Sequence, residues 1–218
     1  MLKIYTIPVS LYSAKLRILL RHKQLQWEEL PPPGGYGSDE YKKTVPSGNL
    51  PALVDGDLLL ADSEVIAEYL NEKHPARPLL PAGIADRAKA RERSRFHDTR
   101  LEPELRKLFG FLPPETPPSD LVSAQSQAIS ARLIQLARML PSKIDRAELS
   151  LGDCGFPVTF AWIDALSPVM GLSVDMPDRI LEYRSWLQKQ PAVAAELKEY
   201  GPQLNNWLER ERAAHNHR

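Results

Sequence analysis

Few side chains in this 218-residue chain stand where chemistry, rather than packing, would put them. Gly48-Asn49-Leu50-Pro51-Ala52-Leu53 is the first such stretch. A proline at the head of an apolar strand cannot donate to a sheet ladder and belongs at an edge or bend. Two forms satisfy that requirement: a trans edge proline, which composition favours, or a cis-proline that turns the Leu50 backbone towards a peptide-like ligand. Asp62-Ser63 is the second stretch. Either side chain can cap a helix whose apolar positions Val65, Ile66, Tyr69 and Leu70 recur at helical spacing. Ser10 is the third candidate, a hydroxyl in the break between a strand and a helix, where an N-cap belongs. Cys154 is the lone cysteine, which excludes an intramolecular disulfide and a cysteine-rich metal site.

Positioning these groups requires a definite order of elements. Residues 2–7 alternate as a strand with one buried face, and Ser13 to Gln24 form an amphipathic helix carrying Lys15, Arg17 and Arg21. Leu25 to Leu30 alternate again as a second strand. Pro31-Pro32-Pro33-Gly34-Gly35 can only be loop, and Asp39 to Lys43 suit a short helix. A strand opening at Pro51 turns at Asp55-Gly56-Asp57 and returns through Leu58 to Leu60. Asp-Gly between apolar runs predicts a primed turn with both central residues at positive φ. The order is β-α-β, then β-β-α. His74 to Pro81 holds three prolines, and beyond it the pattern is helical. Two long helices are expected over 84–112 and 119–140. The Ser150 to Asp153 pattern resembles a capping box opening a helix from Cys154 to Val169, with Pro157 in its first turn. Two more helices follow, over 177–189 and 192–212. The expected division is a small α/β domain over 1–73, a linker over 74–85 and an all-helical domain over 86–218.

Lys+Arg and Asp+Glu both number 28, so the formal net charge is zero, which argues against a nucleic-acid footprint. The most basic segment, Arg87 to Arg106, is interleaved with acids and reads as a helix of mixed charge. No long apolar run follows the first residues. The expectation is therefore no secretory signal, no membrane partner and a soluble, cytoplasmic protein.

The β-α-β and β-β-α order, with Leu50-Pro51 heading the third strand and Asp62-Ser63 opening the third helix, resembles a thioredoxin-like domain. Followed by helices alone, it resembles a cytosolic glutathione S-transferase. The motifs that carry the resemblance are Pro46 to Leu53, Ala61 to Leu70 and Ser150 to Cys154, in that order across nearly the whole chain. It implies glutathione as co-substrate and no metal. Ser10 matches the residue that activates the thiol in serine-type members, which precedes a basic-apolar-Arg-Ile pattern as in Lys15-Leu16-Arg17-Ile18. Tyr5 is the alternative activator, with Tyr12 or Ser13 as further rivals. The Leu50 backbone beside Pro51 would pair with the cysteinyl amide. Ser63 would hold the γ-glutamyl carboxylate, Asp62 would face its amine, and Asn49 stands where many members have a lysine for the glycyl carboxylate. Lys42 or Lys43 is a further source of that charge.

An electrophile pocket between the domains would draw on Tyr12, Phe96, Arg100, Phe109, Phe111 and Trp162. His97 is expected to be solvated and Cys154 to be an inert packing residue. The implied activity is glutathione conjugation to an electrophilic, partly apolar small molecule, with detoxification the implied role. Peroxide reduction and cis–trans isomerisation share the first step, although Ser10-Leu11-Tyr12 departs from the Ser-Ser-Cys run of the isomerase subgroup. The other functional class is a non-catalytic interaction protein, as in the stress-associated RNA polymerase partners and elongation-factor subunit of this fold. A homodimer is expected from the resemblance.

Overall fold

Leu2 and Ile4 enter the core from β1 (Leu2–Tyr5) while Lys3 faces water, the period-two pattern of a strand with one buried face. The computed structural model describes residues 1–112, 117–144 and 147–215. β2 (Trp27–Leu30) runs parallel to β1, with Leu2 opposite Trp27. β3 (Ala52–Asp55) runs antiparallel to β1, with Ile4 opposite Leu53, and β4 (Leu58–Ala61) antiparallel to β3. The sheet order is β2-β1-β3-β4. α1 (Leu11–Lys23) and α3 (Ser63–Lys73) pack together on one face. α2 (Asp39–Thr44) covers the other, where Tyr41 gathers Val45, Leu50 and Ala52. This is the mixed thioredoxin-like sheet expected from the element order.

Two local expectations need correction. In the β3–β4 turn only Gly56 has positive φ, +61°, so one central residue rather than two adopts it. That is the pattern of a II′ turn, where glycine takes the first central place. α1 begins at Leu11 rather than Ser13, which makes Ser10 its N-cap. The Leu50–Pro51 peptide bond is cis.

The remainder is helical: α4 (Ile84–Phe96), a π turn (His97–Leu101), α5 (Glu102–Arg106), a 3₁₀ turn (Phe109–Phe111), α6 (Ser119–Met139), α7 (Phe156–Met170), α8 (Asp178–Gln188) and α9 (Pro191–His215). The single helix expected over 84–112 is thus broken. Pro103 has no N–H for the carbonyl four residues back, and the turn ahead of it opens so that the Glu102 N–H reaches His97 O, five residues back. The break expected at Pro113-Pro114 lies outside the described residues. The Ser150–Asp153 box is present, but it caps a 3₁₀ turn (Leu151–Asp153), and α7 starts only at Phe156. Asp153 also accepts from the Tyr183 hydroxyl at 2.6 Å, which ties α8 to this corner.

The stretch between Lys73 and Ile84 is irregular yet anchored. Lys23 Nζ donates to the carbonyls of His74 (2.8 Å) and Arg77 (3.3 Å), and Leu151 N–H donates to Leu79 O at 2.8 Å. At the far side Arg17 and Arg21 of α1 pair with Glu196 of α9 at 2.7 and 3.0 Å. α7 supplies the middle of the helical core through Phe156, Phe160, Ile163 and Leu166.

Gly152 lies so close to α4 that a Cβ there would overlap the Ala90 carbonyl, and that carbonyl belongs to a helix that cannot yield locally. Gly152→Ala should therefore cost about 2 kcal/mol or more, as overpacking does. The check is urea unfolding, with a lower midpoint and an unchanged slope.

Candidate functional site

A cavity of about 440 Å³ opens where the sheet half meets α4, the π turn and α5. Tyr12, Asn49, Leu50, Asp62 and Ser63 line it from the first half of the chain. Tyr36, Arg95, Asp98, Thr99 and Arg106 complete the wall.

Each element delivers its group for a local reason. The loop before β3 is held by Tyr41, whose hydroxyl donates to Asn49 O at 2.9 Å, and this leaves the Asn49 side chain exposed. No hydrogen bond among the described residues uses the Leu50 backbone, so its N–H and C=O remain available at the cavity edge. Asp62 caps α3, its Oδ1 accepting from Glu64 N (2.9 Å) and Val65 N (3.1 Å). It does so at φ +122°, a region that side chains other than glycine rarely adopt. Ser63 follows at the first turn of the helix, with its hydroxyl and N–H unpartnered among the described residues. An anion is favoured at such an end by free N–H groups and by the helix dipole.

The candidate hydroxyls separate clearly. Ser10 is half-buried at the N-terminus of α1, where its Oγ accepts from Ser13 N at 3.2 Å, which leaves its own proton free to donate. It stands two residues ahead of Tyr12 and is not part of the cavity wall. Tyr5 lies in β1 with its ring 5.6 Å from Tyr41. Ser13 is fully buried. Tyr12 does line the cavity, but its hydroxyl donates to Glu102 Oε2 at 3.1 Å. Burial and the nearby carboxylates of Glu102 and Asp98 push that phenol far above its ordinary range. Its proton is thus committed to Glu102.

Of the expected electrophile residues, only Tyr12 reaches this cavity. Phe96 and Arg100 open instead on a separate groove between α4 and α6, because residues 95, 98, 99, 102 and 106 form the face turned to Tyr12. Phe96 and Arg100 are rotated off that face. Trp162 is buried, its Nε1 donating to the Tyr200 hydroxyl at 2.7 Å and its ring 4.6 Å from Phe109. It belongs to the core. Phe109 is half-buried under the Arg106 guanidinium, and Phe111 is half-buried against the core. Lys42 lies on α2, 3.6 Å from Asp39, and does not line the cavity.

His97 is 1% exposed rather than solvated, with Nδ1 2.7 Å from Asp98 Oδ1 and Nε2 2.7 Å from Thr159 Oγ1. Asp98 Oδ2 meets the Lys15 ammonium at 2.8 Å. Burial alone would raise the Asp98 carboxyl, but the His97 hydrogen bond and the Lys15 charge outweigh it and hold it at about 2. Cys154 is buried, and that burial pushes its thiol far above the ordinary range. Among the described residues no group of three or more His, Cys, Asp or Glu is placed to hold a metal ion, and no helix is long and apolar enough to cross a membrane.

Tyr36, Arg95, Thr99 and Arg106 escaped sequence reasoning. Helical spacing from Asp98 would have flagged Arg95 and Arg106, whereas nothing in the Pro31 to Gly37 loop marks Tyr36 beyond its composition.

Residues 4–78 match the family described as "Glutathione S-transferase, N-terminal domain". Glutathione S-transferase Z2 of Arabidopsis thaliana is 31% identical over 145 residues, 65% of each chain. The maleylacetoacetate isomerase of Dictyostelium discoideum is 34% identical over 106 residues, 46% of this chain and 48% of that one. A delta-class glutathione transferase of Nilaparvata lugens superposes with a TM-score of 0.81 at 17% identity, over 97% of this chain and 100% of the other, a likeness of fold. The chain spans between 41% and 66% of the length of the first curated relatives that it matches.

The Asp98 carboxyl is lowered on folding from 3.8 to about 2. Its contribution to stability is therefore fully present above pH 4 and is lost as pH falls from 4 to 2. The difference in unfolding free energy between wild type and Asp98→Asn should narrow by about 2 kcal/mol across that window, measured by denaturant titration at successive pH values. Cys154 should resist a thiol-specific reagent at pH 8 until denaturant is added, since the thiolate is the reactive form.

Proposed function

We propose, for a chain that belongs to the cytosolic glutathione S-transferase superfamily, that the cavity binds glutathione and delivers its sulfur, as thiolate, to a small electrophile. The observation that carries this reading is the meeting, in one cavity, of an unpaired Leu50 backbone with Ser63 at the N-terminus of α3.

In this reading the cysteinyl amide pairs with Leu50 beside Pro51, as a strand adding to an edge. The γ-glutamyl carboxylate sits on the Ser63 hydroxyl and N–H, and its ammonium faces Asp62. The glycyl carboxylate takes the Asn49 amide, a neutral donor and hence a modest one. The free thiol would ionise near ~8.5. Ser10 lowers that value by donating its unused proton to the sulfur, helped by the partial positive charge at the start of α1. The electrophile then approaches past Tyr12, Tyr36 and Arg106. That wall is more polar than a partly apolar substrate requires, and it favours an electrophile carrying an anionic group.

Conjugation and thiol-assisted isomerisation start from the same thiolate. In the second, the thiolate adds to a conjugated double bond to give an enolate, rotation about the new single bond follows, and elimination re-forms the double bond and expels the thiolate. Identity with the Dictyostelium isomerase and the arginines Arg95 and Arg106 favour this second reading. The fold's usual two-fold dimer and a cytoplasmic setting complete the proposal, the exposed Val65 and Ile84 being available to an interface.

The experiment is calorimetric titration of glutathione into wild type and Ser10→Ala, with thiolate absorbance followed across pH. Wild type should bind and depress the thiol pKa. Ser10→Ala should bind within a few-fold, leave the pKa near that of free glutathione and lose about 100-fold in turnover. Equal depression in both proteins would transfer the role to another hydroxyl. No binding by wild type would favour a non-catalytic interaction protein.

A further inference from the structure

Lys15 lies in the second turn of α1, yet it is only 2% exposed. Its Nζ is 2.8 Å from Glu64 Oε2, 2.8 Å from Asp98 Oδ2 and 3.3 Å from Ser94 Oγ, so its three protons all find acceptors. Ser94 passes its own proton to Glu64 at 2.6 Å. Asp98 is further held by the His97 Nδ1 contact at 2.7 Å. The His97 ring sits between Asp98 Oδ1 and the Thr159 hydroxyl, 2.7 Å from each. Around the Lys15 ammonium the cluster places two carboxylates, Glu64 and Asp98. Other charged or titratable groups nearby are the His97 ring, the Arg95 guanidinium, 4.0 Å from Asp98 Oδ2 and mostly in solvent, the Arg91 guanidinium, paired with Glu68 and within reach of the Glu64 charge, the Tyr12–Glu102 pair, and the buried Cys154 thiol. Of the two carboxylates, Asp98 faces the cavity.

We propose that Lys15 is a positioning residue for ligand binding. It fixes Asp98, from the helical half, against α3 of the sheet half, so that the Asp98 carboxylate meets the ammonium group of the bound peptide. This inference rests on the glutathione reading, since the γ-glutamyl amine is the one cationic group glutathione has. The arriving amine gives the Asp98 carboxylate a second cationic partner, in a cavity that Asp62 also lines. Without Lys15, two carboxylates that share one ammonium would repel each other. One would take up a proton or swing away, and the cavity wall would lose either its charge or its place.

The test uses S-methylglutathione, which has no titrating thiol, in calorimetric titrations at pH 5.5 and 7.0 with wild type, Lys15→Met, Asp98→Asn and the double variant. At pH 7.0 each single variant should weaken binding by tenfold or more. The double variant should be no more than about threefold weaker than the worse single one, because Lys15 acts through Asp98. The ratio of Lys15→Met to wild-type Kd should grow on going to pH 5.5, as the released carboxylate begins to protonate, while the Asp98→Asn ratio stays constant. Lys15→Arg, which keeps the cation, should stay within about threefold of wild type. Additive losses with a pH-independent Lys15→Met ratio would overturn the proposal and leave Lys15 a structural residue. If Lys15→Met does not fold, Asp98→Asn decides alone: full affinity overturns the proposal, and a tenfold loss supports it. Failure of wild type to bind would remove the glutathione reading and this role with it, whereas binding by wild type with an indifferent Asp98→Asn removes only the latter.

Discussion

A charge taken out of water must find its counter-charge or a set of dipoles, and in α1 that requirement falls on three cations at once. Lys15, Arg17 and Lys23 are 2%, 6% and 6% exposed. Lys15 pairs with α3 and the π turn, Arg17 with α9, and Lys23 with carbonyls of the stretch that joins the two halves. α1 is thus bound electrostatically to α3, the π turn, α9 and the joining stretch. Such pairs are weak evidence of net stability, because desolvation offsets much of their attraction. Breaking one is another matter, and leaves a buried charge at a cost of about 3–5 kcal/mol. Their effect is to permit one docking of the halves and penalise others.

That docking makes the cavity. The sheet half on its own offers an edge of backbone and the start of α3. The π turn at His97–Leu101, forced open ahead of Pro103, carries Asp98 to Lys15 and leads into α5, from which Glu102 reaches Tyr12. Tyr200 from α9 donates to Val9 O at 2.8 Å and so steadies the approach to Ser10. Residues far apart in the chain therefore set the shape of a site whose most recognisable pieces are local.

How much of this was legible follows the same line. Pro51, Asp62 and Ser63 could be found because their signals are short-range: a proline that cannot join a ladder, and caps three residues ahead of an apolar repeat. The βαβ-ββα order and the helical remainder followed from periodicity alone. Most of the misreadings concern charge, helix continuity or which face of a helix meets the cavity. Lys15 and Arg17 look like the solvated side of an amphipathic helix, and only their distant partners Glu64, Asp98 and Glu196 make them interior. His97 looks like a surface residue until Thr159, 62 positions away, supplies a hydrogen-bond partner. Phe96, Arg100 and Trp162 suited a pocket by type, but which face of α4 meets Tyr12 is decided by the docking of the two halves. Tyr36 has no periodic context at all.

The charges around the cavity also limit what can fill it. Asp62 and Asp98 stand against Arg95 and Arg106, and both arginines are already engaged, Arg106 with Glu102 and Arg95 at 4.0 Å from Asp98. Asn49 contributes dipole rather than charge. Among the described residues no lysine or arginine of the sheet half lines the cavity, and a simple anion would meet two carboxylates there. A simple cation would meet the arginines. In the proposed glutathione complex the zwitterion would be matched piece by piece, its carboxylates on helix and amide donors and its ammonium near Asp62 and Asp98, and complementarity of this alternating kind gives orientation and selectivity more than raw affinity. On that proposal the wall would hold the peptide in one direction along the Leu50 edge. The direction matters chemically, because only one places the middle of the peptide beside the start of α1.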